Sequence, residues 1–308
     1  MTTARAAMFP GQGAQTPGMG RDWVESDPAA RGWFDRASAV LGWDLARICF
    51  EGPAAELTRS DRAQPAIFVV SAVVWDALRR TRPDIEWTAA AGLSSGEWAA
   101  LFAAGALSFE DTLRVLEARG RFMQEACEQN PGAMLSVLGL PLPVLERVCA
   151  ECGAEIANLN APDQTVLSGG REAIDAAERL ANAAGARRTI RLNVAGAFHS
   201  SLMRPAADRL RQFLADIPFR APSLPVFSNV TGRPHGGPEE IREAMVRQVT
   251  DSVRWVDCVL GMRELGARVF IECGPGRVLC GLAKRIDKSL RALNISSFSD
   301  LKGMAETL

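Results

Sequence analysis

The apolar positions change rhythm along the chain, and each change marks an element. Arg5–Phe9 is a short apolar run that reads as a buried strand. From Trp23 to about Phe50 the spacing is helical, through Trp33, Phe34, Ala37, Val40, Leu41, Leu45 and Ile48. Residues 59–65 read as a polar link, and residues 66–78 as a one-sided apolar helix. A second apolar strand opens at Trp87 and runs through a sharp turn into a helix over residues 99–104. Ser108 is followed by Glu110 and Asp111, the acidic first turn of a helix reaching through Arg119 to about Ala126.

At Gln129-Asn-Pro-Gly132 the rhythm shortens. Strands over 133–138, 154–159, 164–167 and 188–193 alternate with helices over 143–152 and 171–184, with a turn over 160–163. The order β-α-β-β-α-β is the ferredoxin-like pattern. Beyond it the pattern predicts a helix over 200–214, a strand over 225–230 and an exposed loop over 232–238. Helices over 239–249 and 255–265, a strand over 267–272, a helix over 278–285 and a helical tail from Ser296 complete the chain. The expected fold is α/β. A large α/β-hydrolase-like subdomain with a parallel sheet spans 1–128 and 198–308, and a smaller ferredoxin-like α+β subdomain is inserted over 129–197.

Composition narrows the class. The 308 residues are 47% hydrophobic, ample for a core, and the net charge of −1 gives no global basic field for nucleic acid or an anionic membrane. The start is too short for a signal peptide, and no apolar run approaches the ~20 residues of a membrane span, so the chain reads as cytoplasmic. Seven scattered cysteines argue for free thiols. Cys149-Ala-Glu-Cys152 has no second pair or nearby histidine, so no metal site is expected.

The candidate chemistry sits at the turn after Trp87. There Gly92-Leu-Ser94-Ser-Gly96 joins a strand to a helix. A serine in such a turn points its hydroxyl outward on a strained backbone, and the flanking glycines avoid a collision with the crossing chain. The helix N-terminus behind it adds unpaired N–H groups and a positive dipole end, where an oxyanion could form. Only His199 and His235 could serve Ser94 as base. His235 lies in a Gly/Pro loop that fixes neither tautomer nor aim; His199 opens a helix at a subdomain junction, where clefts form, and is the expected base. No acid stands out as a third member; a backbone carbonyl or an amide, with Asn229 and Gln248 as candidates, could orient the ring. The Gly-rich turn Pro10–Gln15 lacks the Gly-Lys-Ser/Thr of a phosphate loop, and a backbone N–H near Gln12 could complete an oxyanion hole.

Several stretches together resemble the malonyl-CoA:acyl carrier protein transacylases, and also the acyltransferase domains of polyketide synthases. They are Phe9-Pro-Gly-Gln-Gly-Ala-Gln15, the elbow with Glu97, Leu116–Gln124, Ala197–Met203, Ser228-Asn-Val230, Val246-Arg-Gln248 and Glu272–Gly276. The resemblance implies a ping-pong transfer of malonyl from malonyl-CoA, through an ester on Ser94, to the phosphopantetheine thiol of an acyl carrier protein. It implies His199 as base, N–H groups of Gln12 and Ser95 as the oxyanion hole, Gln248 as the residue holding the histidine, and Arg119 as partner of the malonyl carboxylate. Phe198, before the histidine, goes with malonyl in the polyketide relatives. The sequence departs from the family at Leu93, where histidine is usual. No bound cofactor and a monomer are expected. Lys284, Arg285 and Lys288 are candidates for docking an acidic carrier protein, against the plainer reading of a solvated face. The competing functions are a hydrolase that clears stalled acyl chains, disfavoured by Arg119, and a non-catalytic scaffold, disfavoured by the Ser94–His199 pair. The pathway, fatty-acid or polyketide, stays open.

Overall fold

The computed structural model describes residues 4–305. Its strands are β1 (Arg5–Phe9), β2 (Trp87–Gly92), β3 (Gly132–Leu138), β4 (Glu155–Ala161), β5 (Gln164–Gly170), β6 (Arg188–Arg191), β7 (Val226–Phe227), β8 (Val269–Cys273) and β9 (Arg291–Ile295). Five form a parallel sheet in the order β7-β2-β1-β8-β9. The alternation along β1, β2 and β8 feeds two separate cores. Ala7, Phe9, Ala90 and Ile271 pack into one, and Ala6, Met8, Ala89, Ala91 and Phe270 into the other. A sheet buried on both faces needs apolar residues at every position, which is why these strands read as unbroken runs.

The other four strands make an antiparallel sheet in the order β4-β5-β3-β6, the ferredoxin-like arrangement, with helices Leu142–Cys152 and Arg171–Ala183 on its apolar face. The antiparallel sheet is tied to the rest of the chain by more than continuity, through β4 and the segment before the helix Trp255–Glu264. Leu159 N–H donates to the Val253 carbonyl at 2.9 Å, and Val253 N–H to the Ala157 carbonyl at 2.8 Å.

Four expectations need correction. The helical stretch 23–50 is three helices, broken where Asp27 caps the Ala29 N–H (3.0 Å) and where Gly42 turns at φ 74°. Residues 60–65 are not a link but the start of the helix Ser60–Thr81; their polarity does not mean exposure, because Ser60, Asp61 and Gln64 are all buried. The strand expected over 225–230 is only the pair Val226–Phe227, beyond which the chain turns back on itself. Finally, β9 has no counterpart among the expected strands, because a half-exposed edge strand carrying Arg291 and Asn294 has neither an apolar run nor clean alternation.

Candidate active site

The carboxyl ends of β1, β2 and β8 open onto one cavity of about 370 Å³, as ligand sites of parallel sheets do. At the end of β2, Ser94 stands at φ 54°, in the left-handed region. A β-carbon on Gly92 would lie 1.9 Å from the Gly96 carbonyl, and one on Gly96 2.2 Å from the Phe9 carbonyl oxygen. Both positions therefore require glycine. Asn229 clamps the turn: its Oδ1 accepts from the Ser94 N–H (2.7 Å) and its Nδ2 donates to the Gly92 carbonyl (2.8 Å). Asn229 thus supports the serine rather than orienting the histidine.

His199 is likewise held at φ 57°. Its Nε2 lies 2.8 Å from Ser94 Oγ, and its Nδ1 2.7 Å from the Gln248 main-chain oxygen. A carbonyl only accepts, so Nδ1 carries the proton and Nε2 turns its lone pair to the serine. Burial first, and then the charge of Arg119, lowers the His199 pKa to about 4, so the ring is neutral near pH 7. The orienting group is the backbone of Gln248; its side chain does something else. Gln248 Nε2 donates to the Ser94 carbonyl (3.0 Å) and to Glu97 Oε2 (2.5 Å), while its Oε1 accepts from Arg119 Nη2 (3.1 Å).

Three arginines lie close in sequence on the helix Phe109–Gln129, and the structure separates them. Arg114 pairs with Asp111 and Arg121 with Glu117, both in the open. Arg119 is 1% exposed, and its Nη2 reaches to 3.3 Å from Ser94 Oγ. Its Nη1 donates to Gln64 Oε1 (2.7 Å), its Nε has no partner, and it has no salt bridge among the described residues. Desolvation lowers its pKa to about 10, still a cation at neutral pH. A buried cation held only by neutral amides and a hydroxyl is a site suited to an anion.

Gln12 N–H does face the elbow, but it donates to the Ser95 hydroxyl at 3.1 Å. The Ser95 N–H makes no hydrogen bond among the described residues. Phe198, Leu93, Met123, Met134 and Val166 give the cavity apolar walls, and Asn158 and Asn160 add amides. Val278, Leu279 and Leu282 of the helix Val278–Ile286 line a further side.

Comparison with known proteins shows the family. The model described as acyl transferase domain matches residues 8–299. The chain belongs to the acyl transferase domain family. The malonyl CoA-acyl carrier protein transacylase of Escherichia coli strain K12 is 39% identical over 313 residues, covering 99% of each chain. The solved malonyl CoA-acyl carrier protein transacylase of Coxiella burnetii superposes with a TM-score of 0.96 at 36% identity, covering 99% of this chain and 98% of that one. A solved complex of a type II PKS acyl-carrier protein with its malonyl-transacylase matches with a TM-score of 0.96 at 37% identity, covering 99% of this chain and 100% of the other.

Two more expectations change within this acyl transferase. His235 is not loosely held: its side chain is 2% exposed and its Nε2 lies 2.7 Å from Glu97 Oε1. It bonds to Glu97 and not to Ser94, so His199 remains the partner of the serine. Arg285 is not free for a docking partner, because it pairs with Asp163 at 2.6 Å and bonds Gln164 as well; Lys284 and Lys288 stay exposed. Gln64 and Glu97 complete the site without a sequence signal of their own, because a polar residue in a helix carries no mark of burial.

Among the described residues no group of His, Cys, Asp and Glu could hold a metal ion, all seven cysteines are free, and no helix is long and apolar enough to cross a membrane.

Proposed function

We infer that the chain transfers malonyl from malonyl-CoA to the phosphopantetheine thiol of an acyl carrier protein. One observation carries this reading: the buried Arg119 guanidinium, without a carboxylate partner, 3.3 Å from Ser94 Oγ. A malonyl group on Ser94 would bring a carboxylate within reach of it, and an acetyl group would leave it unpaired. Ser94 Oγ attacks the thioester carbonyl as His199 Nε2 takes its proton. The oxyanion is met by the Gln12 and Ser95 N–H groups, the Ser95 hydroxyl yielding the Gln12 donor to the incoming oxygen. The tetrahedral intermediate collapses, and His199 returns the proton to the departing CoA thiolate. The carrier's thiol then gives a proton to His199 and attacks the ester, and Ser94 is restored with that proton. Phe198 forms part of the wall beside the acyl group. Residues from both the small unit over 129–197 and the large unit of 1–128 and 198–308 line the cavity, and Lys284 and Lys288, exposed on and just past the helix whose start lines it, suit an acidic carrier. Free thiols accord with a cytoplasmic setting.

A panel of acyl-CoAs assayed against one carrier protein, with free acid measured in parallel, tests the reading. Malonyl transfer should dominate; acetyl release to water at a higher rate than malonyl transfer would replace the transferase with a hydrolase.

A further inference from the structure

We propose that His235 is a positioning residue for acyl selectivity, acting on Arg119 through Glu97 and Gln248. This deepens the transferase reading and rests on it. The four side chains form one buried chain of contacts: His235 Nε2 to Glu97 Oε1 at 2.7 Å, Gln248 Nε2 to Glu97 Oε2 at 2.5 Å, and Arg119 Nη2 to Gln248 Oε1 at 3.1 Å. Glu97 and Gln248 are both fully buried.

The directions of these bonds are forced. A carboxylate only accepts, so the Gln248 NH₂ must face Glu97, and its oxygen must then face Arg119. The opposite sense of the amide would set an NH₂ against a guanidinium, donor against donor. Glu97 thus shares with the Ser94 carbonyl, which accepts from the same Nε2 at 3.0 Å, the setting of which end of Gln248 the arginine meets. Glu97 is in turn aimed from two sides. The Asn229 N–H donates to its Oε2 at 3.2 Å, and His235 alone, among the described residues, donates to its Oε1.

The loop that carries His235 is built to aim it. Past β7 the chain reverses: Ser228 N–H donates to the Arg233 carbonyl, Gly232 N–H to the Ser228 carbonyl, and His235 N–H to the Val226 carbonyl, each at 2.8 Å. Phe227 and Pro234 pair as an antiparallel bridge. The histidine backbone is thereby stitched to the strand beside β2, and its ring reaches Glu97 on the helix Gly96–Ala103. Without that donor, one oxygen of a fully buried carboxylate loses its partner. The carboxylate then turns toward the donors that remain, and Gln248 loses the firmer of the two acceptors that fix its position against Arg119, keeping only the Ser94 carbonyl.

The test compares kcat/KM for malonyl-CoA and acetyl-CoA in five proteins: the parent, His235→Leu, His235→Gln, Gln248→Ala and His235→Leu combined with Gln248→Ala. The single variants His235→Leu and Gln248→Ala and the double variant close a cycle with the parent. His235→Leu should lower the malonyl-to-acetyl ratio about 10-fold, the worth of one misdirected charge-assisted hydrogen bond. His235→Gln, which retains an N–H donor, should restore most of the ratio. In the Gln248→Ala background His235→Leu should add little, because the route is already cut. Equal loss for both acyl groups with an unchanged ratio would show a merely structural role, and additive effects in the double variant would break the proposed route; either overturns the proposal. A parent that transfers no malonyl at all would instead refute the transferase reading.

Discussion

Replacing Arg119 with alanine bears most directly on selectivity. In the parent the guanidinium is buried, held by Gln64 at 2.7 Å and Gln248 at 3.1 Å, with Nε unsatisfied. A malonyl carboxylate would supply the missing anion in a desolvated pocket. Removing one partner of a buried, hydrogen-bonded ion pair costs about 3–5 kcal/mol. At about 1.4 kcal/mol per decade, kcat/KM for malonyl-CoA should fall about 10²- to 10⁴-fold. Acetyl has no carboxylate to lose, and in the parent it leaves the arginine facing a methyl group. Acetyl transfer by Arg119→Ala should therefore hold or rise.

The ratio of the two is the quantity to measure, by competing malonyl-CoA and acetyl-CoA for one carrier protein. A ratio cancels losses of folded enzyme, which matter because Gln64 and Gln248 each lose a donor in this variant. Arg119→Lys provides a second point: the charge remains but the two-pronged geometry does not, so the ratio should fall between parent and Arg119→Ala. A ratio in Arg119→Ala equal to that of the parent would refute the role.

Other outcomes follow from the same geometry. His199 titrates near pH 4 because burial, and then Arg119, disfavour its protonation, so acylation of Ser94 should stay level down through neutrality and fail only with an acid limb near there. Arg119→Ala removes the second cause and should move that limb upward; a parent limb at the ordinary 6.5 would contradict the assignment. The same shift makes the fold less stable in acid, since the unfolded ring takes up a proton below about 6.5 and the folded one not until about 4. Leu93→His should change the malonyl rate or acyl preference by less than about 10-fold, about one hydrogen bond's worth, because the base is His199. Complete loss of malonyl transfer in that variant would show a larger role for position 93.

The reactive pair was legible in the sequence because its demands fall on side-chain types. Gly92 and Gly96 are needed where Cβ atoms would strike the Gly96 and Phe9 carbonyls, and a shortage of histidines left one well-placed base. The group that orients His199 was not legible, because it is a main-chain carbonyl and any residue could provide it. Polarity misled elsewhere. Ser60, Asp61 and Gln64 read as a link, whereas the helix start they form is buried beside Arg119 and Gln12. His235 read as loosely held because glycine and proline surround it, yet those residues allow the tight reversal that buries its ring. Both misreadings fall beside the site, where buried polar groups answer to one another and not to solvent.

The central claim, that Ser94 receives a carboxylated acyl group and passes it to a thiol, has a direct test. The protein is mixed with malonyl-CoA, the intact mass is recorded, and a carrier protein bearing phosphopantetheine is added. The parent should gain one malonyl group, which the carrier then removes as its own mass rises by the same amount, and Ser94→Ala should gain none. A malonyl adduct that persists in Ser94→Ala, or one that leaves only to water when carrier is present, would contradict it.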